Sequence, residues 1–275
     1  MFGRLAVLVA FALPFALPAP AVAGSVLDRV RDAGILVGAA DPSWPPYSWR
    51  DPIGEYHGFD VDVTRAIADR LGARAAFVAA PWEAQVAGGW DGAWDIAVTS
   101  MTPTADRAAR LDFPAVYAWS EAALAAPVHR TDIAAPEDAS GLRIAVIEDT
   151  IFARYLRHED LGIVGLGAVD FRIEPGEIVA FADSAAPYRT VVAGEIVDAL
   201  VDDLTAIEAQ IAQGRPIRVV GDPLFAAPVA VAIDKGDPAF AAEIARTVET
   251  LREDGTLARL ERRWFGEVRT AGAGD

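Results

Sequence analysis

The 275-residue chain predicts an α/β fold, and three observations predict it. Strand-like and helix-like patterns alternate through the first half, which implies a mostly parallel sheet covered by helices. A second αβ series begins at Arg143. The length suits two modest lobes or one large α/β domain. In order, Val26–Ala33 reads as a helix, Ile35–Ala39 as a strand, and Asp41–Tyr56 as an irregular loop carrying Pro, Trp and Tyr. Phe59–Leu71 is an amphipathic helix, because Val63, Ile67 and Leu71 recur at helical spacing. Ala75–Val78 is a strand, Glu83–Gly88 a short helix, and Asp95–Val98 a strand running into a Ser/Thr-rich turn. In the second series Arg143–Val146 is a strand, Ile151–Leu156 and Ala185–Ala193 are helices, Asp198–Val201 is a strand and Leu204–Gln213 a helix. A strand over Val229–Ile233 and helices over Pro238–Asp254 and Thr256–Phe265 complete the chain.

The first residues point to export. Met1–Arg4 is a short basic start, Leu5–Leu17 is apolar, and Ala21-Val22-Ala23 has the small-x-small pattern of a signal-peptidase site. Residues 1–23 are therefore expected to be a cleaved signal peptide, delivering a product free in the periplasm. The apolar stretch is short for a membrane span and is broken by Pro14 and Pro18. The chain has no cysteine, which excludes a disulfide scaffold, a cysteine nucleophile and lipidation at the cleavage site. With 40 acidic against 24 basic residues and a formal charge of −16, nucleic acid and anionic membrane surfaces are poor partners.

Catalytic and metal chemistry is thinly represented. His57, His129 and His158 stand alone, without HxxxH or HExxH spacing, and there is no GxSxG elbow or Walker loop. No cofactor, metal or catalytic residue is implied. The richest stretch is Thr99–Tyr117, TSMTPTADRAARLDFPAVY. It sets Ser100 and Thr102 ahead of Arg107, and such hydroxyls, turn N–H groups and a guanidinium fork suit a small carboxylate. A helix N-cap followed by a solvated arginine is the plainer alternative.

Four stretches carry a family resemblance, in order. They are Val37-Gly38-Ala39-Ala40-Asp41 with Trp44, Pro46 and Tyr47; Gly54-Glu55 leading to Gly58-Phe59-Asp60-Val61-Asp62-Val63; Pro81-Trp82 and Trp94-Asp95-Ile96-Ala97 running into the Arg107 stretch; and Ala193-Gly194-Glu195-Ile196-Val197-Asp198-Ala199-Leu200-Val201-Asp202-Asp203. Together they resemble the bacterial extracellular solute-binding proteins of family 3, the periplasmic amino-acid receptors of ABC importers. The resemblance implies a two-lobe periplasmic-binding-protein fold of type II, each lobe a mostly parallel sheet flanked by helices. Lobe 1 would comprise residues 24–117 plus 228–275 and lobe 2 residues 128–221, with hinge crossings at 118–127 and 222–227.

The resemblance also implies roles. Arg107, with Ser100 and Thr102, would take the ligand α-carboxylate, and Asp203 the α-ammonium. Trp44 and Trp82 would sandwich the side chain, unless they are simply core aromatics. Asp41 would face a distal cationic group, unless it is only a turn residue before Pro42. Asp60 and Asp62 are expected to cap or solvate their helix. Of the adjacent Asp202 and Asp203, Asp203 is expected to face the cleft. Glu148-Asp149-Thr150-Ile151-Phe152 stands where the family has a Gly-Thr-Thr turn, leaving Thr150 as the ligand-facing hydroxyl and Asp149 as a charge that would repel a carboxylate unless turned away.

Counting Asp41, Glu148, Asp149, Asp202 and Asp203 near the cleft, the ligand expected is an amino acid or amino-acid-like solute with excess positive charge. The implied partner is an inner-membrane ABC permease, and the receptor would be a monomer and not an enzyme. Two alternatives remain: a ligand-free periplasmic adaptor, and a cyclohexadienyl dehydratase on the same fold.

Overall fold

The computed structural model describes residues 25–266, so the proposed signal peptide at 1–23 lies outside the described residues. Helix α1 (Val26–Ala33) starts where the Ser25 side chain accepts from the Asp28 N–H, and ends at Gly34, whose φ of 65° suits a residue without Cβ. Strand β1 (Ile35–Ala40) follows. The segment expected to be an irregular loop instead folds into a small antiparallel sheet of β2 (Ser43–Trp44), β3 (Ser48–Arg50) and β4 (Tyr56–His57). These strands are two or three residues long, too short to show a periodicity.

Helix α2 (Phe59–Arg70), β5 (Arg74–Ala79), α3 (Trp82–Ala87), β6 (Ile96–Met101) and α4 (Ala105–Ala108) complete the first run. After β7 (Leu111–Pro127) come β8 (Arg143–Ile147), α5 (Ile151–Leu156), β9 (Glu177–Phe181), α6 (Ala186–Ala193), β10 (Ala199–Asp203), α7 (Leu204–Ala212) and β11 (Ile217–Asp234). Helices α8 (Pro238–Glu253) and α9 (Thr256–Phe265) end the described chain.

Eight strands form one sheet in the order β5-β1-β6-β11-β7-β10-β8-β9. The flanks are parallel, β5 with β1 with β6 on one side and β10 with β8 with β9 on the other. The centre is antiparallel, since β7 and β11 pair with each other nearly end to end. Residues 118–127 therefore lie inside a 17-residue strand, and 222–227 inside an 18-residue strand whose register shifts between Val220 and Phe225. Both places were expected to be hinge crossings between lobes, and continuous strand runs through each. The alanine-rich stretch from Ala122 to Pro127 lacks strand alternation because it is buried on both faces, as strands in the middle of a covered sheet are.

Separate cores lie along this sheet. Helices α1, α2, α8 and α9 bury Val30, Phe59, Ile67, Phe240, Ile244 and Leu257 against Leu36, Ile96 and Val231. On the other half, Phe152, Tyr155 and Leu156 pack with Ile144, Val146, Val201 and Leu124. Tyr188, Val191 and Ile207 cover Leu200 on the opposite face. The cleft opens between these cores.

The start of α2 positions one wall of the cleft. Its first N–H groups have no partner within the helix. Phe59 and Asp60 instead donate to the carbonyls of Pro46 and Tyr47, both at 3.0 Å. This pins the Trp44–Tyr47 segment against α2, with the two rings stacked at 4.5 Å. The contact needs Gly58, whose φ is 131° and whose added Cβ would lie 2.1 Å from the Tyr47 carbonyl oxygen. Gly58→Ala should therefore cost at least about 2 kcal/mol in denaturant unfolding. A loss under about 0.5 kcal/mol would show that this contact does not hold the wall in place.

Candidate functional site

The cleft comprises about 680 Å³ of space, counting the open solvent at its mouth. Of the residues singled out from sequence, Asp41, Trp44, Trp82, Ser100, Thr102, Arg107 and Thr150 line it, and Asp203 does not. Asp202 lines it instead.

Arg107 is 2% exposed. Its Nη1 donates to the Thr102 carbonyl at 2.9 Å and its Nη2 to the Asp149 carbonyl at 2.6 Å. The guanidinium carbon lies 5.2 Å from the centroid of the Trp82 ring. No carboxylate within the described residues pairs with it. Burial, then repulsion from Arg154, pushes its pKa down to about 10, so it stays cationic at neutral pH. A buried guanidinium without a counter-ion is costly, and a carboxylate entering the cleft would relieve that cost.

The Ser/Thr turn is shaped by what lies behind it. Ser100, at φ 49°, accepts nothing from the helix that follows. Its N–H donates to the Tyr117 hydroxyl at 2.8 Å, and its Oγ donates to Asp60 at 3.0 Å. Tyr117 in turn donates to Asp60 at 2.7 Å. Asp60 is thus 1% exposed rather than solvated, and burial holds its carboxyl well above the ordinary range. The Thr150 hydroxyl is likewise engaged, donating to Ile147 O at 2.7 Å and accepting from Ala153 N as the N-cap of α5.

The Asp202–Asp203 pair divides its labour differently from the sequence expectation. Asp203 accepts from the Tyr47 hydroxyl at 2.8 Å, the Ser120 hydroxyl at 2.7 Å and the N–H groups of Thr205 and Ala206. It is the N-cap of α7, and its oxygens are taken up behind the cleft wall. Asp202 accepts from the Tyr188 hydroxyl at 2.7 Å and from Asp203 N at 2.8 Å. Burial raises its carboxyl to about 7. Successive residues of a strand point to opposite sides, and the onset of α7 decides which acid is consumed as a cap.

The acidity expected around the cleft is also smaller than the sequence suggests. Asp149 adopts φ 59° and turns its side chain into a separate depression beside Arg154 and Arg157. Glu148 pairs with Arg157 at 2.7 Å. Asp41 remains, accepting from Ser43 N at 2.7 Å, and burial raises its pKa. Sequence reading did not find Gln85, Thr99, Ser120 or Ser184 as lining residues. Trp82 and Gln85 sit one helical turn apart, a spacing that was available as a signal. Ser184 follows β9, a strand not anticipated, and no local pattern marks it.

Several bonds cross between the two sides of the cleft. The Ser43 and Ser184 hydroxyls lie 2.9 Å apart, and Arg154 holds Asp106 through two bonds at 2.8 and 2.7 Å. Ala105 N donates to Gly162 O at 2.9 Å and Val164 N to Pro103 O at 3.0 Å, a backbone bridge across the mouth. Among the described residues no cluster of His, Cys, Asp and Glu has the makings of a metal site, and no helix is long and apolar enough to cross a membrane.

Two half-sheets joined by two long strands, with a cleft lined by aromatic, aliphatic and polar side chains between separate cores, define a two-lobe small-molecule receptor of the α/β class. The chain belongs to the bacterial extracellular solute-binding proteins, family 3, whose model matches residues 36–267. It is 24% identical to the L-cystine-binding protein TcyJ of Escherichia coli (strain K12), over 88% of this chain and 86% of that one. It is 26% identical to the arginine-binding protein ArgT of Corynebacterium glutamicum, over 78% and 69%. Among solved structures, the ancestral amino-acid-binding protein AncCDT-1, a precursor of cyclohexadienyl dehydratase, superposes with a TM-score of 0.74 at 26% identity, covering 88% of this chain and all of that one.

Asp202 yields a pH test. Its carboxyl titrates near 7 in the fold and near 3.9 in an unfolded chain. Between those values the native state holds the extra proton, so the stability it contributes is complete below about pH 4 and lost as pH rises through 7. The melting temperature of the ligand-free protein should therefore fall more steeply between pH 5 and 8 than that of Asp202→Asn. Equal slopes would remove Asp202 as the titrating group.

Proposed function

We propose that the chain is a periplasmic receptor that captures an amino acid or amino-acid-like solute with excess positive charge and delivers it to the permease of an ABC importer. The observation that carries this reading is Arg107, a buried guanidinium held by two carbonyls, in the same cleft as Asp41 and Asp202. The α-carboxylate binds Arg107 beside Thr102, and the α-ammonium binds Asp202. The side chain lies between Trp44 and Trp82 and ends near Asp41, flanked by Ser43 and Ser184. Two aromatic rings add cation–π attraction of about 0.5–2 kcal/mol per contact.

Residues 1–23 serve as the signal peptide, cleaved after Ala23, and the mature chain acts as a monomer. Lobe 1 spans residues 24–117 with 228–275 and lobe 2 residues 128–221. The hinge is the pair of strand segments at 118–127 and 222–227, and the register shift near Phe225 is where β11 bends most readily. Binding is the whole of its chemistry, with no catalytic step. Names of relatives support the ligand class: one binds L-cystine and another arginine.

Thermal shift across amino acids, opines, betaines and polyamines tests this reading. A ligand at a hundredfold excess over Kd stabilises the native state by about 2.7 kcal/mol. A cationic amino acid should raise the melting temperature, and Arg107→Ala should abolish the rise. No rise with any solute would point to a ligand-free adaptor. A rise with glutamate exceeding that with arginine would sink the cationic preference.

A dehydratase reading has one observation in its favour, a cleft carboxyl at Asp202 that titrates near neutrality, as a general acid would. Incubation with prephenate should yield no phenylpyruvate. Turnover that Asp202→Asn removes would make the chain an enzyme.

A further inference from the structure

Gln85 is 1% exposed on α3, one turn after Trp82, and both side chains line the cleft. Its Nε2 donates to the Ala80 carbonyl at 2.8 Å. That bond fixes the amide, because a flip would set two carbonyl oxygens against each other. Oε1 is then a buried acceptor without a hydrogen-bond partner among the described residues, and the Thr99 hydroxyl beside the same cleft is in the same position. The hydroxyls of Ser100 and Thr150 are engaged internally, with Asp60 and Ile147. The other unpartnered polar atoms of the lining, Trp44 Nε1 and Trp82 Nε1, are donors, so Gln85 Oε1 is the unpartnered carbonyl acceptor there among the described residues. A buried acceptor left unpaired lowers stability, whereas an aliphatic side chain of similar size would fill the space without that cost.

We infer that Gln85 is a specificity-determining residue whose side-chain carbonyl accepts a hydrogen bond from an N–H or O–H donor on the side chain of the bound solute. This rests on the amino-acid reading above and deepens it. Asp41 favours a positive charge, while Gln85 asks only for a donor. Guanidinium, ammonium, carboxamide and ureido side chains satisfy Gln85. An aliphatic side chain leaves the acceptor unpaired, and a carboxylate side chain sets a second acceptor against it.

The test is calorimetric titration of the purified protein with L-arginine, L-lysine, L-glutamine, L-citrulline, L-leucine and L-glutamate, beside Gln85→Met and Arg107→Ala. Methionine keeps the volume and removes the acceptor, together with the bond to the Ala80 carbonyl. Gln85→Met should weaken the tightest donor-bearing ligand at least tenfold and leave L-leucine within threefold. If Gln85→Met does not fold, the wild-type series decides: L-glutamine and L-citrulline should bind at least tenfold more tightly than L-leucine, and L-leucine binding as tightly as both would overturn the role of Gln85. Gln85→Met within threefold of wild type for every ligand, while Arg107→Ala binds none, would overturn the role of Gln85 alone. A wild-type protein that binds none of the six, or an Arg107→Ala protein that binds as wild type does, would overturn the amino-acid reading and this inference together.

Discussion

The pairing of β7 with β11 is the constraint on which the rest of the molecule depends. Both strands run through the centre of the sheet and hydrogen-bond along most of their length. Each parallel flank attaches to one of them, β6 to β11 and β10 to β7. The cleft exists because the helices covering the two flanks bury separate cores instead of meeting. The strands attached to β7 and β11 carry cleft residues near their ends, and Ser100 of β6 and Asp202 of β10 are thereby held to the precision of a sheet.

Much of this was legible in the residue pattern. Helices α1 and α5 lie where their periodicity predicts them, and α2 differs by one residue at its end. Strong amphipathicity with clear caps leaves little ambiguity. Of the two central strands, β11 was legible over Val229–Ile233 and β7 was not, because Ala122–Ala126 offers neither alternation nor β-branched side chains, and its strand state is imposed by neighbours on both sides. Local propensity yields to tertiary pairing there.

The site was legible in its residues more than in their orientation. Arg107 and Thr102 stood out in the Thr99–Tyr117 stretch, the two tryptophans through the family resemblance, and all four line the cleft. The choice between Asp202 and Asp203 was settled by which of them caps α7, and the direction of Asp149 by a left-handed backbone angle that puts its carbonyl, not its carboxylate, on Arg107. Neither is visible in a string of letters. Both follow from backbone hydrogen bonds that need partners, and the chain meets those needs first.

The two carbonyls that hold Arg107 come from opposite sides of the cleft, Thr102 from the segment after β6 and Asp149 from the turn before α5. The guanidinium is thus fully oriented only when the two sides meet. Under the function proposed above it would work as a coincidence detector: a carboxylate would find its complete fork of donors in the shut state, and the shut state would gain its anchor from the same atoms. Capture and closure would then be one event counted at a single side chain, and an anion that brushes an open cleft would leave no lasting mark.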